Sequence, residues 1–179
     1  MLRIVLVVAL VLSLGVLTAA AQHHGHAQSG SAAHAPGGHA AHRQMQATLD
    51  EIDRVIASGR GAGMAFAADR HGYPGPLHVL ELKDQLRLTP AQEARIIALQ
   101  EAMFADSRPK SARLMEAEAR LRRLFAEGVA DEAGVRAAVA ESERARTEVR
   151  LVHLLTHLQT RRVLTAEQRR LYHEARWAQ

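Results

Sequence analysis

His153 and His157 stand four residues apart in the run HLLTHLQ. On a helix that spacing puts both imidazoles on one face, one turn apart, an arrangement that suits two ligands to a single transition-metal ion. Their immediate neighbours are leucines, so an ion held there would be partly dehydrated. The same pair also suits two half-buried histidines that hydrogen-bond inside a helical hairpin. A second group, His23, His24, His26, His34, His39 and His42, lies in a tract of Ala, Gly, Ser and Gln over 22–43. Tracts of this kind capture divalent transition metals through neutral imidazoles, and equally serve as solvated linkers. His173 has no partner visible in sequence. The chain has no cysteine, which excludes disulfides, thiolate metal sites and cysteine nucleophiles. Ser111 and Ser142 lack a nucleophile-elbow context. There is no HExxH, no phosphate-binding glycine loop and no evident carboxylate pair. The expectation is a binding protein that needs no cofactor, not an enzyme.

Cationic chemistry is concentrated in arginine. Arg120, Arg122, Arg123, Arg144, Arg146 and Arg150 fall close to alanine and leucine, a setting in which guanidinium groups hold acidic and aromatic groups of a client protein. Taken singly each reads as a solvated helical face with i,i+4 partners; as a patch they are candidate client contacts. The net charge of +4 is compatible with nucleic acid, but the first residues argue against that partner. Met1–Leu2–Arg3, an apolar run over 4–17 and Ala19–Ala21 form a secretory signal over 1–21, with an uncleaved N-terminal anchor as the alternative. The domain therefore works outside the cytoplasm.

The elements that must position these groups are all helical. The 22–43 segment lacks large apolar residues and reads as disordered. Met45, Leu49, Ile52 and Ile56 follow helical spacing and predict a helix over 44–58. The GRGAG run at 59–63 and the Gly/Pro residues up to Pro76 predict loop over the rest of 44–76. The remaining domain, 77–179, opens with a helix over 77–87. A second helix starts at Pro90, breaks or kinks near Asp106–Arg108 ahead of Pro109, and resumes from Ser111 to Gly128. Asp131 caps a long helix over about 132–162. Its stripe of Val135, Val139, Ser142, Ala145, Val149, Val152 and Thr156 is widened by Leu151, Leu154, Leu155 and Leu158. A last helix spans about 166–177, and no segment alternates like a strand. Aromatic residues are only 3% of the chain, so one such hairpin buries little area. A homodimer that covers the remaining faces is expected.

Two pentapeptides start two of these helices: LTPAQ, Leu88–Gln92, and LTAEQ, Leu164–Gln168. Thr89 and Thr165 can cap the first free N–H groups, and Gln92 and Gln168, three residues on, can reach back to the N-cap N–H. That is a reciprocal capping box with Gln as its second member. Two LTxxQ motifs flanking a long helical hairpin behind a signal peptide resemble the Spy/CpxP family of periplasmic proteins, over about 78–176. The resemblance implies a four-helix hairpin that pairs into a curved antiparallel homodimer. It implies an ATP-independent chaperone that holds unfolded envelope proteins, or a modulator of a membrane-bound stress sensor. A related CnrX-like branch senses nickel or cobalt. By that resemblance His153 and His157 would be joined by His78, with His71, Glu81 and Glu101 as further donors, for Ni, Co, Cu or Zn. The His-x3-His of that branch's N-terminal half is missing here.

Overall fold

The computed structural model describes residues 37–178, so the signal segment and the histidines up to His34 lie outside the described residues. Six helices are present, with no strand among the described residues: α1 (Gly37–Ala57), α2 (Phe66–Arg70), α3 (Pro76–Glu81), α4 (Pro90–Ala126), α5 (Glu132–Val163) and α6 (Ala166–Trp177). Helices α4 and α5 form a long antiparallel hairpin, turned at Gly128 in the left-handed region (φ 69°) and restarted by Asp131, whose carboxylate accepts from the Gly134 N–H at 2.7 Å. No described helix is long and apolar enough to cross a membrane.

Both LTxxQ segments behave as their sequence requires. Thr89 accepts from the Gln92 N–H and Thr165 from the Gln168 N–H, each at 3.2 Å, and each Gln Oε1 accepts the N-cap N–H in return. The two boxes also meet. Gln92 Nε2 donates to Gln168 Oε1 at 2.8 Å, and Gln168 Nε2 donates to Gln92 Oε1 at 2.9 Å. Gln92 Nε2 further donates to the Val163 carbonyl at 2.9 Å. This amide clasp closes the open end of the hairpin. Around it lies the main apolar core: Val79, Leu86, Ile96, Leu99, Leu164 and Tyr172. A second, smaller core of Ile56, Leu114 and Val149 lies nearer the turn.

Several boundaries differ from the sequence expectation. The first helix begins at Gly37, within the tract expected to be disordered, which places His39 and His42 on α1. Ala40 and Ala41 favour helix, and extending an existing helix avoids a new nucleus. The expected loop over 59–76 contains α2, whose Asp69 is buried and pinned by Tyr172 Oη and by Arg176 Nε at 2.9 Å. The helix expected over 77–87 ends at Glu81. Unwinding there lets Leu80, Leu82, Leu86 and Leu88 all face one core, which a straight helix forbids because Leu80 and Leu82 would point about 200° apart. Helix α4 runs unbroken through Pro109. Ala105 and Pro109 are exposed, so solvent can accept the carbonyl that the proline leaves free, while buried Met103, Ser107, Ser111 and Leu114 hold both halves in register.

The largest departure concerns α5. Val149, Val152 and Thr156 are buried as expected, but Val139 is exposed, and Leu151, Leu155 and Leu158 do not widen the buried face. They stand on the opposite side, while Ser142 is buried as the stripe predicts and His153, His157 and Thr160 are buried where the leucines were expected.

Candidate functional site

The middle of the hairpin is polar. Between the two apolar cores α4 contributes Ser107 and Ser111, and α5 contributes His153, Thr156, His157 and Thr160, all buried. The segment from Gly59 to Gly75 lies over this stretch as a strap. Ser107 Oγ donates to the Gly59 carbonyl at 2.7 Å. His157 Nδ1 bonds the Tyr73 carbonyl at 2.6 Å, and Arg161 donates to the Gly72 carbonyl at 2.9 Å. The glycines are required by closeness. A Cβ on Gly61 would stand 3.0 Å from the His153 ring, and one on Gly75 would stand 2.7 Å from His157 Nε2.

Burial decides the state of both imidazoles. Loss of solvation pushes the His153 pKa down to about 4, assisted by His157 and opposed by the Gly59 carbonyl. Burial lowers His157 as well, opposed by the Tyr73 carbonyl and by Asp69. Both rings are neutral at pH 7. Since a carbonyl only accepts, His157 carries its proton on Nδ1 and turns its Nε2 lone pair onto Gly75.

The expected metal donors are not brought together. His78 follows the Gly75 end of the strap, but both its nitrogens are engaged elsewhere, Nδ1 on Glu81 and Nε2 accepting from Arg176, both at 2.9 Å. His71 and Glu101 are exposed, and His173 is on the surface. Among the described residues no three His, Asp or Glu side chains converge as an ion requires. His153 Nε2 is buried without a hydrogen-bond partner, whereas the Gly75 backbone packs against His157 Nε2 and Tyr73 holds its Nδ1, so both nitrogens of His157 are covered. The donors among the described residues therefore do not form the set that the resemblance implies.

The arginine set divides in two. Arg120 pairs with Glu116 and Glu141, Arg122 with Asp53, and Arg146 with Glu118 and Glu143. Burial raises Glu118, but Ser142 Oγ at 2.6 Å and Arg146 outweigh it and hold its carboxyl below the usual range. These three arginines are part of the scaffold. Arg123, Arg144 and Arg150 enter no ion pair among the described residues and are open to a ligand.

The surface that sequence reasoning missed is the outer side of α5. Leu151, Leu155 and Leu158 are 49%, 52% and 42% exposed. They follow i, i+4, i+7 spacing, so they form a ladder. Beside it, Leu154 and Leu158 join Ala67, Ala68, His71 and Tyr73 around an open groove of about 380 Å³. Arg161 stacks over Tyr73 at 4.4 Å and fixes that wall. The signal was present in the sequence: α5 carries two apolar stripes, and one hairpin partner can cover only one of them.

The family described as LTXXQ motif family protein matches residues 77–176, from α3 to the end of α6. No curated protein and no solved structure matches the chain.

Proposed function

Because the chain belongs to the LTXXQ motif family, we propose that it is a periplasmic binding protein of the Spy/CpxP kind, which holds unfolded envelope proteins without ATP and thereby moderates envelope stress. The observation that carries this reading is the leucine ladder of α5. Half-exposed leucines on consecutive turns, beside an apolar groove, form the kind of surface that soluble proteins keep for a partner. Arg123, Arg144 and Arg150 supply unpaired cations for the acidic groups of clients. The protein would act as a homodimer, whose second copy covers apolar surface that one hairpin leaves open, such as Met45, Leu49 and Ile52 of α1. A membrane-bound stress sensor is the alternative partner for the same surface.

The metal-sensing alternative is less well supported, because its donors do not converge and Gly75 lies against His157 Nε2. The test of the main reading is suppression of light scattering from a reduced, unfolding client, with no nucleotide present. Strong suppression at a few-fold molar excess is expected, and no effect at tenfold excess would refute it.

A further inference from the structure

Helix α5 carries more than leucines on its outer side. Arg144 and Arg162 are 18 residues apart, which is five full turns, so they stand in line along the helix about 27 Å apart. Leu151, Leu155 and Leu158 fall within about 40° of the line that joins them. Both arginines are exposed, and neither enters an ion pair among the described residues. The acids nearest this line are already engaged, Glu148 by Arg113 at 3.0 Å and Glu141 by Arg120. The pattern along the surface is therefore cation, three leucines, cation, with the Tyr73 groove along one edge.

We infer that this line docks an apolar segment of another protein that carries an acidic residue at each end, the two carboxylates meeting Arg144 and Arg162 and the apolar middle covering the leucines. The inference rests on the binding function proposed above and names the ligand class of its surface. Charge selects this occupant over a second copy of the chain. An antiparallel copy laid on the same line would set Arg144 against Arg162 of the other molecule at both ends. A parallel copy would set each arginine against its own counterpart. Either way two unpaired cations meet at each end while apolar surface closes around them, which is unfavourable. A second copy in that register is therefore disfavoured, and the line suits a ligand of opposite charge better. A partner with acidic ends neutralises both cations, gains on-rate from long-range attraction, and can seat one large apolar side chain in the groove.

The test uses the full mature chain and three labelled synthetic peptides of about 20 residues that share one leucine-rich middle. One has aspartates at both ends, one has lysines at both ends, and one has serines. Binding is read by fluorescence anisotropy. The aspartate-ended peptide is expected to bind at least ~10-fold more tightly than the lysine-ended one, with the serine-ended peptide between them and the spread shrinking as salt rises. In the double variant Arg144→Glu/Arg162→Glu the order should invert. Should that variant fold poorly by circular dichroism, Arg144→Gln/Arg162→Gln takes its place, and the aspartate preference should vanish. Leu155→Ser with Leu158→Ser should weaken all three peptides by ~10-fold or more. Equal binding of the three peptides, or a preference that survives both arginine variants, overturns the inference. If client aggregation is still suppressed in that case, the general binding function stands and only its ligand class falls. If the peptide preference holds while aggregation is not suppressed, the chaperone reading falls and the docking line remains.

Discussion

The amide clasp between the two LTxxQ boxes yields a sharp prediction, because glutamate serves a capping box as well as glutamine does. Gln168 is 8% exposed. Its Oε1 accepts from Thr165 N–H at 2.9 Å and from Gln92 Nε2 at 2.8 Å, while its Nε2 donates to Gln92 Oε1 at 2.9 Å. The substitution Gln168→Glu keeps both acceptor contacts and removes only the donor. A carboxylate oxygen then faces Gln92 Oε1 at hydrogen-bond distance, with little water to separate the two. One lost hydrogen bond costs about 1 kcal/mol, and the buried, unmatched oxygen adds about 1–3 kcal/mol. The expected loss is about 3 kcal/mol at pH 7, or roughly 10 °C in Tm for a domain of this size. The loss should be pH-dependent with a definite sign. Burial and the facing oxygen raise the folded pKa of the new carboxyl above its unfolded value of about 4.3. The defect is therefore full above the folded pKa and shrinks as pH falls through it, when the protonated acid donates to Gln92 again. Urea titrations followed by circular dichroism at pH 7.5 and 4.5 measure both effects, with the parent chain at each pH as reference. An alanine double-mutant cycle over Gln92 and Gln168 should give a coupling of about 1 kcal/mol. If Gln168→Glu unfolds within about 0.5 kcal/mol of the parent at pH 7.5 and the cycle shows no coupling, the clasp contributes nothing and each box acts alone.

The other predictions concern the strap and its anchors. His153 is depressed to about 4 from an ordinary 6.5. Its neutral burial therefore contributes stability that is complete above pH 6.5 and is lost as pH falls toward 4, up to about 3 kcal/mol; His153→Asn should flatten that part of a stability–pH profile, and an unchanged profile would count against the burial argument. Gly75→Ala places a Cβ against His157 Nε2, so it should lift the strap at a cost of about 2 kcal/mol or more, read as faster amide exchange over 59–75. Asp69→Ala leaves Arg176 and Tyr172 without their buried acceptor and should lower stability by about 3 kcal/mol, with Trp177 fluorescence as the local readout, since Arg176 also stacks on that ring at 5.3 Å.

What could be read in the sequence follows the range of the interactions involved. The capping boxes at Thr89 and Thr165 and the cap at Asp131 are complete within four residues, so type and spacing suffice to place the helix starts. The clasp between Gln92 and Gln168 joins residues 76 positions apart, and nothing local points to it beyond the choice of Gln at both N3 positions. Pro109 misleads because the local rule is real but weak against distant packing: the freed carbonyl lies in solvent and buried neighbours on both sides hold the helix together. Gly59, Gly61 and Gly75 read as loop punctuation. They are in fact places where backbone presses on Arg108, His153 and His157, a reason that exists only once the strap has crossed the hairpin. The histidine pair at i,i+4 was visible, but spacing alone does not distinguish ligands from two neutral rings packed under glycine.

The two faces of α5 bear most directly on function. Periodicity finds the stripe that turns inward at Val149, Val152 and Thr156, but it does not say that the leucines beside that stripe form a second, outward one. The helix buries Ser142, His153, Thr156, His157 and Thr160 beside Val149 and Val152 against the hairpin and leaves Leu151, Leu155 and Leu158 in solvent. The inward face is costly in its polar part, since full burial of a leucine is worth about 1.5–3 kcal/mol and a buried hydroxyl or imidazole gains only if it is hydrogen-bonded. Two of the buried hydroxyls, Ser111 Oγ and Thr160 Oγ1, and the His153 Nε2 have no partner. A chain so short of large apolar side chains nonetheless keeps three leucines outside, in line between two arginines that form no ion pair among the described residues, and it is this arrangement that supports the docking surface proposed above.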